Sequence, residues 1–334
     1  MMKKTAIALG IAAMTFGAQA ADLINTEDNK FELNVDVGAY YQSRTTATTG
    51  VVTSQLLGKG INQIQLRNTK TLPNGWKIIG QAELDYDPVG DNAPALSDDM
   101  RVAVDVPVWG RISAGQFDSF YEDNIAESLG FWGIGDLGAF AAEPASTSDG
   151  KRLQYYNKYG DLQVVLDATF GYATSALTSQ EIGVVGTVAY KIGDLQLFVG
   201  GGYVPSYYSD AGTATQNTFK TVNNSSVVYT NVGGITATYT MGATKLAASM
   251  QSVTAASGAI YAYNGAAVEQ TIDAWKLGLT MLQVNEGAAN QFTQYGLGIN
   301  YTIAPKAIVF MEANSLGATN TYGNAFEFGM KYTF

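Results

Sequence analysis

The sequence predicts an all-β fold, an antiparallel transmembrane β-barrel. Three observations predict it. Apolar and polar residues alternate with period two through most of the chain. The connections are short at one set of strand ends and long at the other. The chain closes on an aromatic stripe that stops at Phe334.

The alternation comes first. Phe31, Leu33, Val35, Val37, Ala39 and Tyr41 share one parity, and Glu32, Asn34, Asp36, Gly38 and Gln42 the other. On a strand these sets face opposite sides. One such strand would equally suit a water-soluble sandwich; repetition decides. Ala82, Leu84 and Tyr86 alternate with Gln81, Glu83, Asp85 and Asp87, and Val102, Val104 and Val106 with Arg101, Ala103 and Asp105. Further strands are expected over Arg152–Tyr159, Leu162–Tyr172, Ile182–Ile192, Leu195–Val204, Val227–Met241, Lys245–Val253, Trp275–Val284, Tyr295–Ile303 and Ala307–Ala313. The stretch Ala255–Asp273 is ambiguous and is read as hiding at most a short strand.

Short turns fall at Pro73-Asn74-Gly75, Gly160-Asp161, Gly193-Asp194, Gly242-Ala243 and Ala304-Pro305. Longer polar loops lie between them, such as Thr45–Gly60, Ser206–Asn224 and Leu316–Asn324. This asymmetry is the pattern of a membrane barrel. The count comes to fifteen or sixteen, and bacterial single-chain barrels take even numbers, which makes it sixteen.

The last strand gives the third observation. Phe326, Phe328, Met330, Tyr332 and Phe334 alternate with Glu327, Gly329, Lys331 and Thr333. Such a stripe suits lipid, and Phe326, Phe328, Tyr332 and Phe334 are read as the membrane-facing set that also marks the strand for assembly.

Composition agrees. Charged residues are 14%, against roughly 25% in an ordinary soluble domain. No stretch of eighteen apolar residues occurs, so no membrane helix is expected. Residues 1–20 read as a cleaved signal peptide. Lys3 and Lys4 precede the apolar run Ala6–Phe16, and Ala18-Gln19-Ala20 is a cleavage signal. The barrel domain is then 21–334, with 17 basic and 29 acidic residues, a balance that argues against nucleic acid as a partner.

Cysteine and histidine are both absent. No Ser-His triad or His-ligated metal is available, and no catalytic residue, metal site or cofactor is assigned. Gly133-Ile134-Gly135-Asp136-Leu137-Gly138 fits G-x-G-x-x-G, but no helix and no βαβ unit surround it, so it is read as a loop bend.

The order and spacing of several motifs resemble the Gram-negative general porin family over essentially the whole mature chain. They are Asn74-Gly75-Trp76-Lys77 leading to Gln81-Ala82-Glu83, Arg101 opening a strand, Gly115-Gln116, Arg152 followed by Tyr159, and the terminal Phe334. The resemblance implies a sixteen-stranded, water-filled barrel that passes ions and small hydrophilic solutes passively, and not an enzyme. It implies a homotrimer in the outer membrane, contacts with outer-membrane lipid and lipopolysaccharide, and insertion by the barrel-assembly machinery. It also implies that the loop 117–150 folds inward as a constriction. Its apolar content (Phe120, Tyr121, Leu129, Phe131, Trp132) agrees with burial.

By the resemblance, Arg101 and Arg152 match constriction arginines and Asp136 a loop acid. Gln63, Gln116 and Trp132 replace family charges. The expected eyelet is Arg67, Arg101, Arg152 and Lys158 facing Glu127 and Asp136 across the pore, with Glu83, Asp85, Gln63 and Gln116 in the lumen. The lost arginines and the acidic chain imply mild cation preference. The rival readings are a plugged barrel with an adhesive or structural role, a membrane-embedded hydrolase, and a soluble β-sandwich.

Overall fold

Sixteen strands close into one antiparallel ring in the computed structural model. It describes residues 21–46, 51–57, 62–85, 96–126, 128–129, 151–170, 182–204, 207–210, 213–216, 218–220, 226–285, 291–315 and 322–334. The first twenty residues therefore lie outside the described residues.

The wall strands are β1 (Asn29–Thr46), β2 (Gln63–Thr71), β3 (Lys77–Asp85), β4 (Leu96–Val106), β5 (Gly110–Gln116), β6 (Lys151–Tyr159), β7 (Leu162–Phe170) and β8 (Ile182–Ile192). They continue as β9 (Leu195–Tyr203), β10 (Ser226–Met241), β11 (Thr244–Ala255), β12 (Ile260–Ile272), β13 (Trp275–Asn285), β14 (Gln291–Ala304), β15 (Ala307–Ser315) and β16 (Tyr322–Thr333). Each pairs with the next, and β16 closes on β1 from Asp36↔Thr333 to Thr46↔Tyr322. Closure leaves none of the sixteen wall strands as an end strand, which is what a sheet in hydrocarbon requires.

Where β16 ends, Phe334 N–H donates to Val35 O, and a short strand Ala21–Asn25 takes over along β1 with Ala21 opposite Leu33. A second short strand, Val52–Leu57, pairs with the upper part of β1. Between it and β2 the Asn62 side chain stands in for the backbone ladder. Its amide donates to Gly38 O and accepts from Gly38 N–H.

The two faces separate as the alternation predicts. Val102 (60% exposed), Met250 (62%), Leu279 (56%) and Phe328 (52%) lie on the outside. Phe326 and Met330 join Phe328 in that exposed stripe. Phe334 departs from it. It is buried, and its ring meets Tyr332 edge-on at 4.7 Å, while its N–H continues the ladder onto β1.

Two-residue turns at Gly160, Gly193 and Gly242 begin with φ near +60°, as the twist of a hairpin demands. The fourth such turn, Asp273-Ala274, was hidden because aspartate supplies the same left-handed backbone (φ +51°). The stretch read as ambiguous is therefore a full strand of 13 residues, β12.

Candidate functional site

The site is built on one row of the wall. Reading across the ladders, Arg67 pairs with Gln81, Gln81 with Arg101, Arg101 with Gly115 and Gly115 with Arg152. Directly opposed residues share a face. Three arginines thus stand on alternate strands β2, β4 and β6, about 9–10 Å apart at two strand spacings.

Gly115 lies between two of them. A Cβ there would strike the backbone of Met100 and Arg101. Phe117, the first residue after β5, is buried beside this row. Its ring centroid is 5.6 Å from the guanidinium carbon of Arg101 and 5.6 Å from that of Arg152. Cation–π attraction of this kind is worth roughly 0.5–2 kcal/mol, more where water is excluded.

The three arginines differ in solvation. Arg152 is only 2% exposed, and its guanidinium lies 3.9 Å from Asp167 on β7, itself bonded to Gln154 Nε2 at 3.0 Å. Arg152 is therefore enclosed behind Phe117, although it keeps the inward parity and its charge reaches Asp123. Arg101 is half-buried and donates through Nε and Nη2 to Gln81 Oε1 at 3.2 and 2.8 Å. Arg67 is half-buried and lines an open polar cavity of about 480 Å³ with Lys30, Glu32 and Lys77.

Lys158 has the inward parity but the wrong height. It pairs with Gln163 beside the Gly160-Asp161 turn, six positions from Arg152 on β6, or about 20 Å along the strand. It belongs to the turn-side mouth. Gln116 has the wrong parity. It is in register with Met100 and Lys151, one step off the row of Arg101 and Arg152, so it leaves the lumen set. Glu127 and Asp136 lie outside the described residues.

Gln63, Glu83 and Asp85 do face one another inside the wall. Gln63 Nε2 donates to Glu83 Oε1 and, at 3.3 Å, to Asp85 Oδ1; Gln65 Nε2 donates to Glu83 Oε2 at 2.5 Å. A neutral amide at 63 thus holds two carboxylates.

The loop turns inward. Ser119 Oγ accepts from Glu122 N–H at 3.0 Å, and a single π-helical turn follows over Glu122–Ala126. This spacing puts Tyr121, Ile125 and Leu129 on one side. All three are buried in an apolar cluster with the inward residues Val185, Phe198, Val232, Tyr263 and Leu282. Gln251 Nε2 on β11 donates to Ile125 O and, at 3.2 Å, to Ala126 O; Thr236 Oγ1 on β10 donates to Ser128 Oγ at 3.1 Å. The loop is therefore fixed to the β8–β14 half of the wall.

That arrangement brings acids to the site that sequence reasoning missed. Asp118 and Asp123 lie at the start of the loop. Asp123 sits in the combined field of Asp118, Arg152, Arg101 and Asp167. Its side chain is exposed, yet loss of bulk solvation inside the barrel and then the Asp118 charge push its pKa up to about 6, against the pull of both arginines. Burial pushes the Tyr121 phenol well above its ordinary range and keeps it neutral. Asp99 shares the parity of Arg101 two positions earlier, a signal open to the sequence. Arg111, whose guanidinium stands 5.0 Å from the Tyr156 ring, was readable the same way from Arg152 and Tyr156. Asp118 and Asp123 needed knowledge of how the loop folds back.

A closed barrel with a polar inner wall and a loop fastened inside it defines an outer-membrane β-barrel channel for passive diffusion. A sequence profile of the Gram-negative porin family matches residues 5–332, and the chain belongs to that family. A search of curated proteins returns no match. Among solved structures the chain is similar to an anion-selective porin from Comamonas acidovorans at 15% identity, with TM-score 0.69, covering 92% of this chain and 100% of that one. It is also similar to a loop-deletion form of OmpT, an outer membrane protein of Vibrio cholerae, at 16% identity and TM-score 0.65, covering 92% and 100%. A third is Salmonella typhi OmpF in complex with daunomycin, at 14% identity and TM-score 0.67, covering 93% and 99%. At these identities the likeness is one of fold.

Proposed function

We propose that this porin is a general diffusion channel with mild cation preference, acting on no substrate chemically. The observation that carries this is the uneven solvation of charge around the loop. Among the described residues, Arg152 is buried with Asp167, whereas the less buried Asp85, Asp99, Asp118 and Asp123 stand on the same side as Arg67, Arg101 and Arg111. Charged side chains at a constriction filter by sign, and a polar wall lets a solute keep its hydration. The anion selectivity named for the Comamonas protein does not transfer, because the acids here outnumber the solvated arginines.

The mature protein is taken to be residues 21–334 after signal cleavage. It works as a homotrimer among outer-membrane lipid and lipopolysaccharide, inserted through its C-terminal strand by the assembly machinery. Glu127 and Asp136 are proposed to complete the acidic side. Single-channel recording in planar bilayers tests the reading. Stable conductance in three equal steps is expected, with a small reversal potential of cation-selective sign under a salt gradient. No conductance would favour a plugged barrel, and clear anion preference would overturn the selectivity.

A further inference from the structure

Three inward glycines of the wall lie under the three apolar residues of the loop. Gly200 on β9 lies under Tyr121, Gly234 on β10 under Ile125, and Gly265 on β12 under Leu129. A loop side chain stands within 3.0 Å of where each wall Cβ would be. At Gly200 a Cβ would be 3.0 Å from Tyr121 Cδ2 and 2.8 Å from Thr187 Oγ1 of the wall, so loop and wall both crowd it. At Gly234 the loop atom is the nearest, Ile125 Cγ2 at 2.6 Å. At Gly265 the nearest atom would be Leu129 Cδ1, with the wall's Met281 O next at 2.7 Å. None of the three has a left-handed backbone, so turn geometry does not explain them.

We infer that Gly200, Gly234 and Gly265 are sockets that set how far the loop projects into the pore, and hence its size limit. The inference rests on the reading of the barrel as an open channel. The physical reason is the spacing. Tyr121, Ile125 and Leu129 recur every fourth residue and land on successive parts of the wall, and each socket removes one Cβ from under one knob. Gln251 and Thr236 fasten the same segment by hydrogen bonds between the second and third sockets. Ile125 is fully buried and β-branched, with little rotamer freedom to move aside. Filling its socket must therefore displace the loop. The retreat needed at Gly234 is about 0.8 Å, from 2.6 Å to the 3.4 Å where ordinary contact begins. A retreat away from the wall carries the loop toward the lumen.

Gly234→Ala is the cleanest test, because the wall atoms nearest its Cβ stand at 3.1 Å or more. The expected result is a folded, heat-modifiable barrel whose unitary conductance falls by roughly a tenth or more. Adding Ile125→Ala should relieve the fall. Unchanged conductance in Gly234→Ala, or a fall that Ile125→Ala does not relieve, overturns the inference. A second readout does not need conductance or Gly234→Ala to fold. The chain has no cysteine, so Ser128→Cys places a single buried thiol at the latch. A hydrophilic thiol reagent should label it several-fold faster when Ile125→Ala is added, and equal rates would overturn the latch. Ser128→Cys protein that labels slowly yet conducts no ions would remove the open-channel reading and leave the latch standing.

Discussion

Acidifying the medium from pH 7 to pH 5 should weaken cation preference through Asp123. Its carboxyl titrates near 6, raised first by the protein around it and second by Asp118. With that pKa, about nine-tenths of the channels carry the charge at pH 7 and about one-tenth at pH 5. The sign follows directly: a raised carboxyl pKa means that the neutral form takes over as pH falls through about 6, so the eyelet loses one negative charge per monomer. Reversal potential under a fixed salt gradient, measured in half-unit pH steps, should move toward anions with a midpoint near 6. Asp123→Asn should lie closer to the acidic end at pH 7 and show a clearly smaller inflection. Two results would refute the reasoning: an inflection that persists unchanged in Asp123→Asn, or a wild-type reversal potential that is flat from pH 7 to 5.

Three other outcomes are expected. Arg152→Ala strands Asp167 in a buried site, and breaking a buried ion pair from one side costs about 3–5 kcal/mol; the temperature of the folded-to-unfolded gel shift should fall clearly. Phe117→Ala removes the ring between Arg101 and Arg152 and lets water reach both, so selectivity should move toward anions, read as reversal potential with the barrel still heat-modifiable. Phe328→Lys puts a charge on the exposed outer stripe and should destabilise the barrel by up to about 2–4 kcal/mol, checked by urea unfolding in lipid vesicles.

How much was legible depended on how local the signal was. Period-two alternation is written within each strand, so the wall, its inward parity and the exposed Phe326 and Phe328 could be read directly. Turns marked by glycine were equally plain, whereas Asp273 hid a turn because its left-handed backbone carries no glycine. Height in the barrel was not legible. Lys158 and Arg152 have the same parity, but where each falls along the pore depends on the stagger of neighbouring strands, which no single strand records. Burial of Arg152 was out of reach for a related reason, since it depends on Phe117 arriving from the following loop. The sockets were least visible of all. Gly200, Gly234 and Gly265 each look like an ordinary weak point in a strand until the loop residue above it is known.

These particulars change what the charges can mean. Counting residues by sign treats Arg101 and Arg152 as equals, yet one faces a polar lumen and the other is closed in with a carboxylate. A passing ion responds to charge that water has not screened and a partner has not cancelled. The buried Arg152 is partly offset by Asp167, while Asp123 remains exposed beside it and still feels its charge. The same loop makes both conditions true. Phe117 covers Arg152 at one end of the described segment, and Tyr121, Ile125 and Leu129 fasten the rest against the far wall. On the proposed reading, size and sign in this pore share one origin, because the same described segment packs against the far wall and covers Arg152.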